Sequence, residues 1–331
     1  MKNLLTDISG VRVGHAEDAS VASGVTAIIF DTPATASIDV RGGGPGTRDE
    51  ALLKPEATVE AVDAITLSGG SALGLDAAGG VQAWLAEQGR GLRIREAVIP
   101  IVPGAICFDL LNGGNKAWGR FPPYRDLGYA AACAAGTDFA LGSVGAGLGA
   151  TTANFKGGLG SASAQTEDGV MVAALAVVNA VGSVTVGDGP WFWAAPFEIG
   201  DEYGGHGLPP SFTKDMLKAR LKGAPEPISG ENTTLVVVVT DAVLTKAQAK
   251  RLAMIAQTGM ARAIYPVHAP TDGDVVFAAA TGKKPVDPRH GLTELGMVAA
   301  NVVARAIARG VHQATALPFL GALPAWGDRF G

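Results

Sequence analysis

Apolar positions in the first two thirds of the chain come in short runs separated by glycine-dense segments. Val25 to Phe30 (VTAIIF) and Ala36 to Val40 (ASIDV) read as strands, the second running into Arg41-Gly-Gly-Gly-Pro-Gly-Thr-Arg48. Ala61 to Leu67 is a third strand, followed by the turn Ser68-Gly-Gly-Ser71. A helix is then predicted from Leu73 to Glu87, with Leu75, Ala78, Val81 and Leu85 on one face. Ala97 to Val102 and Val170 to Val178 read as further strands, Leu127 to Ala135 as a helix of small residues, and 142–160 as mostly Gly, Ala, Ser and Thr. Residues 222–232 (KGAPEPISGEN) carry no periodicity and read as an exposed linker. Directly after it, Thr233 to Thr240 (TTLVVVVT) is an unbroken apolar strand, which implies burial on both faces. A helix at Lys246 to Ala261, a strand at Thr271 to Phe277 and a helix at Leu292 to Val311 complete the pattern. Several strands succeed one another without an intervening helix, so a layered α+β sandwich with helices outside two sheets is expected rather than a doubly wound fold.

Composition narrows the class. A chain of 331 residues is long enough for a large core, with 47% hydrophobic residues and only 17% charged. That low charge predicts surfaces buried by oligomerisation. A net charge of −5 without a Lys/Arg cluster argues against a nucleic-acid partner. Two cysteines, Cys107 and Cys133, fit a reducing compartment, and no apolar stretch reads as a signal or a membrane span, so a cytoplasmic location is expected. Glycine is the excess residue, at 46 of 331.

Several familiar patterns fail on context. Gly145-Ala-Gly-Leu-Gly-Ala150 matches G-x-G-x-x-A but lacks the strand before and the helix after it that a dinucleotide site needs. Gly69-Gly-Ser71 lacks the G-x-S-x-G spacing of a nucleophile elbow. Histidines 15, 206, 268, 290 and 312 show no metal-ligand spacing, and no acidic residues follow Asp272-Gly-Asp274 at cation-loop positions, so no metal or cofactor is expected.

Thr233 stands where an exposed linker meets a doubly buried strand, the arrangement required if the chain is cut there and the new N-terminus is held rigidly. Asp272 and Asp274, two apart at the head of another strand, would project from one face. In Gly10-Val-Arg-Val-Gly-His15, Val40 to Arg48, Leu67 to Leu75, Lys156-Gly-Gly-Leu-Gly-Ser161, Val178-Asn-Ala-Val-Gly182, Asn232-Thr-Thr-Leu235 and Thr271 to Phe277, the sequence resembles the DmpA-type self-processing amidohydrolases. That family includes L-aminopeptidase/D-esterases, β-peptidyl aminopeptidases and 6-aminohexanoate-oligomer hydrolases.

The resemblance implies a four-layer αββα sandwich of the DmpA and ornithine acetyltransferase type. It also implies a single catalytic domain that cuts itself between Asn232 and Thr233 into chains 1–232 and 233–331, and αβ units assembled into a homo-oligomer, a tetramer. Thr233 would be the N-terminal nucleophile of an aminopeptidase acting on small peptides, amino-acid amides or amino-acid oligomers with a free amine. Asn179 would stabilise the oxyanion, Lys156 would lie near the nucleophile, and Asp272 and Asp274 would orient the Thr233 hydroxyl and amine. Phe108 stands where certain relatives carry a tyrosine, which removes a hydroxyl from the substrate site. Ser68, Gly69 and Gly70 are candidates to approach the substrate, against a reading of tight packing between sheets. The alternatives are an acyltransferase using the same threonine, and an uncleaved oligomer that binds ligands without catalysis.

Overall fold

The computed structural model describes residues 1–223, 232–287 and 290–331. Its strands are β1 (Val11–Asp18), β2 (Ser23–Val40), β3 (Thr47–Arg48), β4 (Ala61–Ser68), β5 (Leu92–Ile94), β6 (Ala97–Ile99), β7 (Gly104–Ile106), β8 (Leu159–Gln165), β9 (Met171–Asn179), β10 (Thr233–Ala242) and β11 (Val275–Lys284). The helices are α1 (Ala77–Glu87), α2 (Tyr124–Cys133), α3 (Lys246–Ala263), α4 (Gly291–His312) and α5 (Gly327–Phe330).

Architecture turns on β2, a strand of 18 residues where the sequence predicts two. Asp31, Thr32 and Pro33 are exposed at the join, and pairing with β4 is interrupted between Ile29 and Ala34. Pro33 has no N–H to contribute there, so the interruption is where it fits. The first half of β2 pairs with β1 and β4, and β4 continues through β7 to β3. The second half pairs with β11, which leads through β10 and β9 to β8. Nine strands among the described residues thus share one hydrogen-bonded network, which β2 turns into two facing layers.

Side-chain alternation confirms the layers. Leu235, Val237 and Val239 of β10 point into an inter-sheet core with Ile28, Phe30 and Ile38 of β2 and Leu175 and Val177 of β9. Val236 and Val238 point the other way, into a second core beneath α3 and α4 with Leu252, Val302 and Ile307. On the far side, Val25, Ala27 and Ile29 pack under α1 and α2 with Val81, Leu85 and Ala131. The order helix, sheet, sheet, helix is the expected αββα sandwich. Helix α4 is long and apolar enough to cross a membrane, and most of it is buried against the rest of the chain.

Local differences from the sequence pattern have simple causes. Strand β8 is Leu-Gly-Ser-Ala-Ser-Ala-Gln, with no β-branched residue to announce it. Small residues are what the packing requires, since a Cβ on Gly160 would lie 1.9 Å from the Ala306 carbonyl of α4. Ala97 to Val102 shortens to β6, because Pro100 and Pro103 interrupt it, and β6 pairs with β5 in a separate hairpin. The helix expected from Leu73 begins as a tight turn over Ser71–Asp76 and becomes α-helical at Ala77. The helix expected at Leu127 to Ala135 is α2, shifted toward the N-terminus. The expected linker at 222–232 lies almost wholly in 224–231, outside the described residues.

Candidate active site

Four chain segments far apart in sequence end at one edge of the sandwich. Strand β9 runs antiparallel to β10, so its last residue, Asn179, pairs with the first residue of β10, Thr233. Strand β11 runs parallel to β10 with Leu235 beside Val275, which brings the lead-in Asp272-Gly-Asp274 beside Asn232 and Thr233. Strand β2 pairs antiparallel with β11, Val40 beside Val275, and delivers the glycine loop after Val40 to the same place. Thr233 and Asn179 share the inter-sheet face with Leu235 and Val177 by strand alternation.

Thr233 is buried, and its Oγ1 donates to the carbonyl of Asn232, the residue before it. The same carbonyl accepts the Gly273 N–H at 2.9 Å. A side chain at Gly273 would collide with Thr233, its Cβ falling 2.4 Å from Oγ1, so only glycine brings this N–H to that oxygen. The Arg41 to Gly46 loop supports the turn from behind: the Gly44 N–H donates to Asp272 O at 2.7 Å and the Arg41 N–H to Asp274 O at 3.0 Å. A Cβ at Gly42 would lie 2.3 Å from Asp272 O. These glycines are backbone spacers.

The two aspartates lie in the turn before β11 rather than in the strand expected from Thr271. They are still brought together, both nearly inaccessible to solvent. Asp274 is well supplied with donors: Thr234 N–H at 2.7 Å on Oδ1, and His268 N–H at 3.1 Å and Nδ1 at 2.9 Å on Oδ2. Asp272 Oδ1 has no hydrogen-bond partner among the described residues. Burial, and next the neighbouring Asp274 carboxylate, push the Asp272 pKa up to about 8.

Asn179 bridges the two sheets. Its Nδ2 donates to Phe108 O at 2.9 Å, and its Oδ1 accepts from Thr151 N–H at 3.0 Å and from Lys222 Nζ at 2.9 Å. With both ends of the amide engaged, its orientation is fixed. Phe108 therefore serves Asn179 through its backbone, independently of the hydroxyl that its ring lacks. Lys156 is buried and donates to the carbonyls of Gly147, Ala150 and Gly157 at 3.0, 2.8 and 2.7 Å. Burial pulls its pKa down to about 7. Three carbonyl acceptors match the three N–H bonds of the ammonium form, which they favour against that burial. Lys156 also pairs with Thr151 through the backbone, so it steadies the loop that holds Asn179.

Beside this corner opens a cavity of about 300 Å3 lined by Phe108, Thr151, Lys156 and Lys222, with Leu317, Leu320 and Leu323 from the segment after α4 on another wall. Thr233 is not in its wall. Ser68, Gly69 and Gly70 are buried behind Asp109 and do not line it, and two of their N–H groups are committed internally: Gly69 to Gly24 O at 3.0 Å, Gly70 to Asp109 Oδ1 at 2.7 Å. Gly69 faces the Asp109 carboxylate with no room for a Cβ, so the packing reading fits this loop. Lys222, His268 and the Gly273 N–H are the site groups that sequence reasoning missed. The signal available for His268 was its place four and six residues before the aspartates.

The pKa of Asp272 has a measurable consequence. An ordinary aspartate titrates near 3.8, so between about pH 4 and 8 the folded chain holds a proton that the unfolded chain has released. Stability therefore falls as pH rises through that window. Lys156 acts above its folded value of about 7 with the opposite sign and is common to both chains of the comparison. Asp272→Asn should remove the Asp272 slope and gain up to about 4 kcal/mol at pH 8 relative to pH 5, read by urea unfolding. An unchanged slope would mean that Asp272 is ionised at neutral pH.

Comparison with known proteins gives the same frame. The chain is 42% identical to an aminopeptidase of Mycobacterium tuberculosis, described as uncharacterised, over 99% of this chain and 98% of that one. It is 27% identical to a 6-aminohexanoate-oligomer endohydrolase of Agromyces, over 90% of this chain and 82% of the relative. Among solved structures, a β-aminopeptidase of Burkholderia superposes with a TM-score of 0.67 at 24% identity, covering 98% of this chain and 90% of that one. The L-aminopeptidase D-Ala-esterase/amidase of Ochrobactrum anthropi, described as a variant of the Ntn hydrolase fold, superposes with a TM-score of 0.69 at 20% identity and the same coverage. The sequence profile of Peptidase family S58 matches residues 3–321, and the chain belongs to that family of peptidases.

Proposed function

We propose that this peptidase activates itself by cutting the Asn232–Thr233 bond, and that Thr233 then serves as the N-terminal nucleophile of an aminopeptidase acting on small peptides, amino-acid amides or amino-acid oligomers. The observation that carries the reading is the Thr233 Oγ1–Asn232 carbonyl contact, with the Gly273 N–H on the same carbonyl oxygen. In the first reaction Oγ1 adds to the Asn232 carbonyl carbon, the C–N bond breaks, and the hydroxyl proton ends on the Thr233 nitrogen. Water then hydrolyses the ester, leaving a carboxylate on Asn232 and a free amine on Thr233. That amine, with a pKa near 8 or below, is the base that a weak threonine nucleophile needs at neutral pH.

Substrate hydrolysis repeats the acyl step with the amine as base and then acid. Asn179, held by Phe108 O, is the oxyanion donor in this reading, and the Gly273 N–H serves once Asn232 has left. The adjoining cavity and its leucine wall accept the acyl group. Assembly of cut αβ units into a homo-oligomer, a tetramer, belongs to the same reading and is supported by exposed Leu92 and Ile94 on β5 and Met297 on α4. A cytoplasmic location is supported by the two free cysteines.

Intact mass measurement of the purified protein after prolonged incubation is the direct test. Two species ending at Asn232 and beginning at Thr233 are expected, and a persistent full-length species overturns the reading. L-, D- and β-alanyl and 6-aminohexanoyl p-nitroanilides then rank the amine position.

A further inference from the structure

The two aspartates are chemically unequal, and the difference lies in a residue outside the motif that holds them. Asp274 accepts three N–H bonds, two of them from His268; Asp272 Oδ1 accepts none among the described residues. Where one carboxylate raises the pKa of its neighbour, the proton stays on the one with fewer hydrogen-bond donors. We infer that His268 is a positioning residue that fixes this proton on Asp272, by holding Asp274 as the ionised partner beside the Thr233 junction. The inference rests on the proposed role of Thr233.

His268 is placed for this task by its backbone. Its φ of +58° lies in the left-handed region, which turns the chain so that the N–H and the ring Nδ1 converge on one oxygen of Asp274. A non-glycine residue held there is uncommon, and it fits a demand for this side chain at this place. The ring is partly exposed while the Asp274 carboxylate is buried, so His268 is the solvent-side cover of the pair. The other charges that bear on the pair are few: Lys222 acts on Asp272, and the Arg41 side chain is turned away onto Asp39.

With the proton on Asp272, the pair has both an acid and a base available to the junction. Asp272 gives its proton to the Thr233 nitrogen as the C–N bond breaks, and the pair regains a proton from Oγ1, so none is gained or lost. Without the His268 ring, Asp274 loses one of its three donors, the backbone N–H remaining, and the pair binds its proton more tightly.

The test compares His268→Gly, which tolerates the positive φ and removes the ring, with His268→Asn, which tolerates it and keeps a donor near the Nδ1 position. The readout is the pH dependence of kcat and of chain cleavage. His268→Gly should lower kcat roughly tenfold, leave KM within about twofold, and move the acidic limb of the profile up by about one pH unit. His268→Asn should keep the limb where it is. If His268→Gly does not fold, His268→Asp, which removes the donor and keeps the shape of Asn, is read in its place. A profile whose acidic limb does not move on loss of the donor overturns the inference, whatever the rate, and so does an Asn variant that shifts like the Gly variant. Thr233→Ala run alongside separates the two readings: activity or cleavage surviving in that variant removes the nucleophile assignment, while its loss with unmoved His268 profiles removes only the role of His268.

Discussion

On the proposed role of Thr233, Thr233→Ala should yield one uncut chain of 331 residues and a loss of peptidase activity of at least about 10^4-fold, whereas Thr233→Ser should keep both reactions. Alanine retains the backbone and the start of β10, including the Thr234 N–H to Asp274, and removes only the hydroxyl and a methyl group. The methyl deletion costs about 1 kcal/mol of stability, too little to unfold a domain of this size. Lost cleavage in a folded variant therefore reports chemistry. Serine restores the hydroxyl on the Asn232 carbonyl and gives the same α-amine once cut. Cleavage before residue 233 in the alanine variant, seen by intact mass, would show that another group or a contaminating protease makes the cut.

Asn179→Asp should lower kcat by at least about 10^2-fold to 10^3-fold with little change in KM. The substitution keeps the shape, and it keeps the oxygen that accepts from Thr151 and Lys222. It replaces the Nδ2 donor with an acceptor facing Phe108 O, so the amide that would stabilise an oxyanion becomes a like charge. The loss of rate should exceed the loss of stability, since Lys222 can pair with the new carboxylate. Asn179→Ala removes the sheet-bridging bonds as well and should also lower the melting temperature, which separates the two roles. A kcat within tenfold of the parent in Asn179→Asp, with cleavage intact, would leave the oxyanion to backbone N–H groups alone.

Some of this was legible along the chain. The run from Leu235 to Val239 announced a strand buried on both faces, and both cores claim it. The α4 periodicity and the glycine segments were equally visible, and seven short segments carried the family. The part played by two of these glycines shows only in three dimensions: Gly42 lets one backbone lie against another, and Gly69 leaves room for the Asp109 carboxylate, without either presenting an N–H to the cavity.

By itself the sequence determined the layers, because a residue's affinity for water and the period of its neighbours are local properties. It did not determine the register that makes the site. With both faces of β10 apolar, a one-residue slip exchanges one greasy face for another, so alternation does not choose between them. Polar partners at the strand ends hold it instead: the Thr240 hydroxyl on Met171 O at one end, and the Asp274 carboxylate on the Thr234 N–H at the other. Only the folded sandwich therefore sets Asn179 opposite Thr233 and the 272–274 turn beside both. Likewise, the raised pKa of Asp272 comes from burial and from Asp274, and the donors on Asp274 from Thr234 and His268, all of which depend on what surrounds a group in space.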